Sequence, residues 1–379
     1  MIMKPIPTSW PFIRNNEIVS VKKVLNEGWL GLGSYVEKFE KKLSDYLNLK
    51  NRFICCVSTG TDALLMSLFT AKIKPGDEVI LPSLNFLACA QSILLCGAKP
   101  VFCDVDEKTL CIDIDKLKKL INKKTKAVIA VDYSGNLADY KKLNILKKKY
   151  KFKIIQDAAH SFGSMYGNKK VGSFSDITIF SFDPIKTITT IDGGAIVVKS
   201  LKELEYLKSI RQLGYSVQPN VAFRNKKKLA YDVKNLGFQN RMSNVHAAIG
   251  LTQMKILSSI ISKKRNLCRN YNFLFRKNEN VIIPNSSYKN VTPFIYYIRV
   301  QKKYRDKLRG YLRKKNIFTG LHWYPNHKLT LFKKCKKGDL SITNKVASEL
   351  ITLPLFYKLE KKEQRYISEQ IESFFKNEK

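Results

Sequence analysis

Three short segments place a candidate phosphate site, a carboxylate and a lysine at the ends of predicted strands. The first segment, Ser58-Thr59-Gly60-Thr61-Asp62, follows an apolar strand and opens a helix. Free N–H groups at a helix start, with hydroxyl groups beside a glycine, can bind a phosphate. A simple helix cap by Ser58 or Thr59 accounts for the same residues. The segment alone leaves both interpretations open.

The second segment, Gln156-Asp157-Ala158-Ala159-His160-Ser161, follows the apolar residues Ile154-Ile155. An acidic residue at the carboxyl end of a parallel strand lies where ligands bind in open α/β sheets. A solvated aspartate in a turn is the structural alternative. Asp157 is therefore a candidate site residue whose assignment depends on the other two segments.

The third segment is Ser181-Phe182-Asp183-Pro184-Ile185-Lys186-Thr187, in which Lys186 lies among apolar and hydroxyl residues. Apolar surroundings lower the pKa of a lysine and make its amine a usable nucleophile. Lys186 follows Asp157 by 29 residues. Together with a phosphate site, this pair matches the needs of pyridoxal 5′-phosphate (PLP). The lysine forms an imine with the cofactor, and the carboxylate keeps its pyridine nitrogen protonated.

Alternating helical and strand-like patterns between residues 16 and 200 predict the framework that positions these segments. Helices are predicted at 17–27, 35–47, 61–71, 86–95, 112–121 and 138–150. Strands are predicted at 53–57, 78–81, 100–104, 127–131, 154–156, 177–180 and 195–198. Continuous apolar strands separated by helices favour a mostly parallel sheet that is covered on both faces.

The pattern changes after about residue 240. Residues 242–261 predict one long apolar helix, 281–283 and 294–300 predict strands, and the charged remainder predicts helices. We therefore expect a large α/β domain over residues 1–250 and a smaller α+β domain over residues 251–379.

The charge balance bears on possible partners. The 379 residues include 68 Lys+Arg and 31 Asp+Glu, a formal net charge of +37. The lysines form small clusters on several predicted helices, whereas nucleic-acid binders usually concentrate charge on one face. We expect no nucleic-acid partner, although a positive field can attract an anionic substrate. The most apolar stretch, 79–98, is interrupted by Pro82 and Gly97, so no membrane span is expected.

The eight cysteines lie mostly in apolar runs and form neither a Cys-x-x-Cys pair nor a Cys/His cluster. Neither a metal site nor a disulfide framework is expected. Buried free thiols fit a reducing compartment. The first residues lack the apolar run of a secretory signal, so a cytoplasmic protein is expected.

The sequence resembles, in order and over nearly its whole length, the DegT/DnrJ/StrS family of nucleotide-sugar aminotransferases. The motifs that carry this resemblance include Gly28-Trp29-Leu30, Ser58-Thr59-Gly60-Thr61-Asp62-Ala63-Leu64, Gly76-Asp77-Glu78-Val79-Ile80, Gly97-Ala98-Lys99-Pro100-Val101-Phe102, Gly193-Gly194, Arg241-Met242-Ser243 and His322-Trp323-Tyr324-Pro325-Asn326-His327. The resemblance implies the fold of fold-type I PLP-dependent transferases. In that fold a large domain with a mostly parallel seven-stranded sheet precedes a smaller C-terminal α+β domain.

The resemblance also implies roles for single residues. Lys186 would bond covalently to PLP and move a proton between the substrate carbon and C4′ of the cofactor. Asp157 would pair with the pyridinium nitrogen. His160 would lie near the phenolic oxygen, and Phe86 would stack on the ring.

For the cofactor phosphate, the resemblance implies contacts from Gly60, Thr61 and Ser181. Relatives often carry Gly-x-Asn-x-Arg, whose asparagine reaches the phosphate in the neighbouring subunit. Here the segment reads Gly237-Phe238-Gln239-Asn240-Arg241. Either Gln239 or Asn240 would make this contact.

On the substrate side, the resemblance implies contacts from His327, Tyr324, Trp29 and Leu30. A structural role for His327 in its proline-bounded loop is the alternative. Gly31 stands where relatives commonly carry Ser or Thr, which removes a hydroxyl group from the expected sugar side.

The implied activity is transfer of an amino group from an amino acid, expected to be L-glutamate, to a nucleotide-linked keto-deoxysugar. The product would serve surface polysaccharide or related amino-sugar biosynthesis, and a homodimer with shared active sites is expected. A PLP-dependent sugar dehydratase of the same fold is the first alternative, but such enzymes carry histidine at the position of Lys186. A basic nucleic-acid-binding regulator is the second, and it would bind DNA with strong salt dependence and lack a yellow cofactor.

Overall fold

The computed structural model describes residues 4–215 and 232–378, so the lysine cluster at 226–228 lies outside the described residues. The α-helices of the described residues are α1 (Asn15–Glu27), α2 (Ser34–Leu47), α3 (Gly60–Thr70), α4 (Ala88–Leu95), α5 (Ile114–Leu120), α6 (Tyr140–Tyr150), α7 (Leu201–Ile210), α8 (Asn244–Met254), α9 (Leu257–Phe275), α10 (Lys302–Lys314), α11 (Ser341–Glu349) and α12 (Lys361–Asn377). Within these ranges every helix is too short or too polar to cross a lipid bilayer.

The strands are β1 (Phe53–Val57), β2 (Glu78–Pro82), β3 (Lys99–Cys103), β4 (Thr125–Val131), β5 (Lys153–Asp157), β6 (Met165–Tyr166), β7 (Lys169–Lys170), β8 (Ile177–Ser181), β9 (Gly194–Val198), β10 (Tyr296–Arg299), β11 (Lys336–Lys337) and β12 (Leu350–Leu353). The main sheet has the order β1-β9-β8-β5-β4-β2-β3-β11. Strand β9 is antiparallel to β1 and β8, whereas the other neighbouring pairs are parallel.

This mostly parallel sheet confirms the predicted fold class. Its strands β2, β8 and β9 are buried along their whole length, because helices cover both faces. The described residues contain eight strands in this sheet instead of the expected seven. The extra strand is the two-residue β11, which pairs with β3 and forms one edge of the sheet.

Two predictions in the C-terminal part are wrong. Residues 242–261 form two helices rather than one, because the chain leaves helical geometry at Ile256, whose φ is −115°. The segment 281–283 forms no regular strand. Ile282 makes one isolated bridge to Arg299, and Pro284, which has no N–H group to donate, follows directly.

A separate hydrophobic cluster surrounds the antiparallel pair β10–β12 and includes side chains from α9, α10 and α12. Ile6, near the other end of the chain, is buried in this same cluster. Conversely, β11 pairs with the main sheet although it lies beyond residue 330. The domain division at residue 250 stays a prediction.

Candidate active site

Two neighbouring parallel strands carry the carboxylate and the lysine loop. Strand β5 ends at Asp157, which is in register with Ile179 of β8, and β8 ends two residues later at Ser181. The loop between β8 and β9 carries Lys186. Because parallel strands end at the same edge of a sheet, the topology brings Lys186 and Asp157 together. Their charges act on each other.

The Lys186 side chain is half-buried, and its Nζ lies 4.2 Å from the centroid of the Phe294 ring. Burial of the amine lowers the pKa of Lys186 to about 8, although the carboxylates of Asp157 and Asp183 oppose this shift. Roughly a tenth of the amine is therefore neutral at pH 7, far more than for a solvated lysine. The apolar setting expected from the sequence is thus present.

Asp157 is buried, and burial raises the pKa of its carboxyl group. Three contacts counteract that shift. Oδ1 accepts a hydrogen bond from the backbone N–H of Ala159 at 3.0 Å, and Oδ2 accepts one from Sγ of Cys89 at 3.1 Å. The third is the charge of Lys186. Asp157 is therefore held in a protein interior and is not the solvated turn residue of the structural alternative.

His160 is also buried, and its ring stacks on Phe294 with centroids 4.2 Å apart. Burial and the nearby cations Lys186 and Lys264 hold the pKa of His160 well below its usual value. The ring is therefore neutral near pH 7. Its Nδ1 is buried without a hydrogen-bond partner in the described residues. An unpartnered buried nitrogen beside the lysine loop is suited to a polar group of a ligand.

The start of α3 lies against the end of β8. A Cβ atom at Gly60 would lie 2.7 Å from Cβ of Ser181, so only glycine permits this close approach. The Thr59 side chain caps α3 by accepting from the N–H of Asp62 at 3.0 Å. The first N–H groups of a helix have no partner within the helix, so those of Gly60 and Thr61 can still bind an anion. Capping and phosphate binding are therefore compatible here.

The segment with Gln239 and Asn240 adjoins this helix start. The carbonyl of Asn240 accepts from the N–H of Ser58 at 3.0 Å, which ties the segment to the phosphate turn of the same chain. The Gln239 side chain is exposed, whereas Asn240 is partly buried. Which of the two would reach a neighbouring subunit stays a prediction.

Aromatic rings form one wall. The Phe86 ring lies 5.1 Å from that of Trp323, which in turn lies 5.9 Å from the His160 ring. Phe86 and Tyr324 are 47% and 57% exposed. The Phe86 ring is thus linked through Trp323 to His160, and it stays half-exposed.

His327 lies at the same edge of the sheet but is held by the protein itself. Its Nδ1 shares a hydrogen bond of 2.7 Å with Oγ of Ser83, directly after β2. Trp29 and Leu30 lie in the connection between α1 and α2, exposed and close to Asn244 at the start of α8. No described contact joins these two residues to Lys186. The substrate roles of all three stay predictions.

The sequence patterns predict no role for four residues that lie at the site: Cys89, Phe294, Lys264 and His322. Cys89 lies in the first turn of α4, and its N–H donates to the carbonyl of Phe86, which precedes the helix, at 3.3 Å. His322 lies in a quoted motif, and burial together with the Lys186 charge lowers its pKa to about 4. The sequence around Phe294 and around Lys264 contains no motif that indicates a role at the site.

The arrangement fits PLP on several grounds. It offers a partly neutral amine, a buried carboxylate, an unpartnered imidazole nitrogen and a glycine-dependent cradle at a helix start. These groups match the aldehyde, the pyridine nitrogen, the phenolic oxygen and the phosphate of that cofactor, respectively. Lys186, Asp157, His160 and the α3 start are the residues that would hold it.

Comparisons with known proteins agree with this fit. The model of the DegT/DnrJ/EryC1/StrS aminotransferase family matches residues 11–372. GDP-perosamine synthase of Escherichia coli O157:H7 is 31% identical over 98% of this chain and 99% of its own. PseC of Helicobacter pylori, an aminotransferase involved in the biosynthesis of pseudoaminic acid, superposes with a TM-score of 0.91. It is 27% identical and covers 99% of this chain and 100% of its own.

A third match concerns the cofactor. Spr1654 of Streptococcus pneumoniae, in its PLP form, has a TM-score of 0.88 and 27% identity, covering 98% of this chain and 99% of its own. The family match spans most of the chain and both structural matches span nearly all of it. The chain therefore belongs to the DegT/DnrJ/EryC1/StrS aminotransferase family, and its cofactor is PLP.

Proposed function

We propose that this PLP-dependent sugar aminotransferase moves an amino group from L-glutamate to a keto-deoxysugar linked to a nucleotide. The observation that carries the proposal is the amine of Lys186, whose pKa is lowered to about 8 beside the buried carboxylate of Asp157. When bound, PLP supplies an electron sink for the carbon that exchanges its amino group. The remaining steps depend on residues of the chain.

Lys186 is the residue proposed to hold the cofactor and to carry the proton to and from the reacting carbon. A general base works best when its pKa lies near the working pH, and a pKa of about 8 meets that condition. Asp157 is proposed to keep the pyridine nitrogen protonated. Its hydrogen bonds from Ala159 and Cys89 favour the charged carboxylate that this role needs.

The start of α3 is proposed to bind the phosphate through the N–H groups of Gly60 and Thr61, with the Ser181 hydroxyl opposite. Its positive dipole end favours a dianion there. His160 is proposed to donate to or accept from the phenolic oxygen, and Phe86 to cover the ring. Phe294 contacts the amine of Lys186, and the His322 ring packs edge-on against Phe294; these two rings are proposed to shield the amine from water.

For the sugar nucleotide, we propose contacts from Tyr324, His327, Trp29 and Leu30. Surplus positive charge would favour the diphosphate of such a substrate. Lys186 argues against the dehydratase alternative, because that chemistry uses no lysine at this position in the enzymes that perform it. The eight free cysteines support a cytoplasmic setting.

We further propose a homodimer in which each subunit completes the site of the other. Large apolar side chains of α1 and of the segment after it are exposed by 43% or more, namely Ile18, Val19, Leu25, Trp29 and Leu30. This segment also carries the expected substrate contacts Trp29 and Leu30. Clustered exposed apolar side chains are typical of a protein interface. Sedimentation equilibrium of the wild type and of a Val19→Asp variant tests the dimer; only the variant should be monomeric.

The function is tested with a panel of nucleotide-linked keto-sugars, each incubated with the PLP-loaded enzyme and L-glutamate. Mass spectrometry should detect an aminated sugar, with the nucleotide still attached, for at least one member. Glutamate consumption without any aminated sugar would contradict the proposed acceptor class.

A further inference from the structure

Lys264 is a buried cation without an acidic partner. It lies on α9 and is 4% exposed. Its Nζ donates one long hydrogen bond, of 3.4 Å, to the carbonyl of Phe294. Among the described residues no carboxylate forms an ion pair with it, and the groups whose charge acts on it are Cys268 and Lys186. A buried ammonium group that lacks a counter-ion is costly and calls for an anion.

Lys264 and Lys186 share one ring and one cavity. Their Nζ atoms lie 5.9 and 4.2 Å from the centroid of Phe294. Both residues line a narrow cavity, together with the loop 184–187 and the N-terminal segment 9–12. So narrow a space suits a carboxylate better than a sugar ring. Burial lowers the pKa of Lys264 to about 8, so most of it is charged at pH 7.

The geometry of the amino-acid donor limits which of its carboxylates can reach Lys264. The amino nitrogen of the donor must react where the amine of Lys186 lies. The carbon of the α-carboxylate is only about 2.5 Å from that nitrogen, because two single bonds separate them. The side-chain carboxylate of glutamate is several bonds farther away. Lys264 and Lys186 share the Phe294 ring and the same cavity, so the carboxylate nearer the reacting nitrogen is the better candidate for Lys264.

We propose that Lys264 binds the α-carboxylate of the amino-acid donor. This inference rests on the proposed aminotransferase function but concerns the donor half of the reaction alone.

The test compares Lys264→Met and Lys264→Arg with a matched control, Lys263→Met, on the neighbouring, partly exposed residue of α9. Titration of each PLP-loaded protein with L-glutamate is followed by loss of the cofactor absorbance. Loss of a charge-assisted contact should weaken apparent donor affinity by about 10- to 100-fold in Lys264→Met. Lys264→Arg should retain most of it, and Lys263→Met should match the wild type. Equal affinities in Lys264→Met and the control would overturn the proposal.

Modified donors separate a direct contact from a structural effect. L-isoglutamine has an amide in place of the α-carboxylate, whereas L-glutamine has one in place of the side-chain carboxylate. Lys264→Met should weaken the binding of L-glutamate and of L-glutamine to the same extent. It should leave the binding of L-isoglutamine, which is already weak in the wild type, unchanged. Equal weakening of all three would show a structural role only. The wild-type protein also tests the proposal by itself, so the test survives if Lys264→Met does not fold. Binding of L-isoglutamine to the wild type as tight as that of L-glutamate would contradict the proposal.

A readout without the cofactor completes the test. Calorimetric binding of 2-oxoglutarate to the apoprotein should weaken in Lys264→Met and not in Lys263→Met. If donor effects appear as expected but no keto-sugar is aminated, the proposed function fails and this inference stands. If sugars are aminated while the Lys264 variants bind donors normally, this inference alone fails.

Discussion

The thiol of Cys89 donates a hydrogen bond to Oδ2 of Asp157 at 3.1 Å, inside the protein. Burial raises the pKa of Asp157, and this thiol is one of the contacts that lower it again. Burial and the nearby carboxylate hold the pKa of Cys89 itself well above its usual value, so the thiol keeps its proton to donate. Cys89 is thus a positioning residue for the carboxylate assigned to the pyridine nitrogen.

Replacement of Cys89 by Ala should therefore raise the pKa of Asp157 further. The acidic limb of the kcat/KM profile should move to higher pH by about half a unit to one unit, because a lost hydrogen bond is worth about 1 kcal/mol. Cys89→Ser, which retains a donor, should leave the limb near its wild-type position. Superimposable profiles for Cys89→Ala and wild type would rule out the electrostatic link.

The two polar residues after β5 should differ in importance. Asp157→Asn removes the negative charge opposite the pyridine nitrogen, and we expect at least about a hundredfold loss of kcat. His160→Asn removes a neutral contact and should cost about tenfold or less. Single-turnover kinetics with the donor measure both. Similar losses would contradict the assigned roles.

Gly60 should be needed for cofactor retention. A Cβ atom there would lie 2.7 Å from Cβ of Ser181, so Gly60→Ala should force α3 away from β8. We expect PLP affinity, measured by equilibrium dialysis, to weaken by about tenfold or more. Gly31→Ala is the matched control, because no atom lies within 4 Å of its Cβ position. Unchanged retention in Gly60→Ala would remove the phosphate assignment from this turn.

Uptake of PLP by the apoprotein should depend on pH through Lys186. Only the neutral amine attacks an aldehyde, and the pKa of this amine is lowered to about 8. The uptake rate should rise about tenfold per pH unit below 8 and level off above it. Stopped-flow absorbance measures this profile. A rate that still climbs from pH 9 to 10 would indicate an ordinary, solvated lysine.

The main sheet was predictable because its strands are continuous apolar runs between amphipathic helices. The nearness of Asp157 and Lys186 follows from the same pattern, since Asp157 ends β5 and Lys186 lies in the loop after the neighbouring strand β8. The break between Met254 and Leu257 was not predictable, because Lys255 and Ile256 are neither glycine nor proline.

The residues that surround the amine of Lys186 could not be predicted from the sequence either. Phe294 and Lys264 follow Lys186 by more than 70 residues and reach it only through tertiary packing of α9 and the segment before β10. Lys264 appears as one of two adjacent lysines in an amphipathic helix. Only burial distinguishes it from Lys263, and helical periodicity alone does not identify a buried charge as a ligand group.

The most direct test of the account is borohydride reduction of the PLP-loaded protein, followed by proteolysis and mass spectrometry of the peptides. We expect one reduced phosphopyridoxyl group, attached to Lys186, and none in a Lys186→Arg variant treated in the same way. An adduct on another lysine, or no stable adduct at all, would contradict the central assignment.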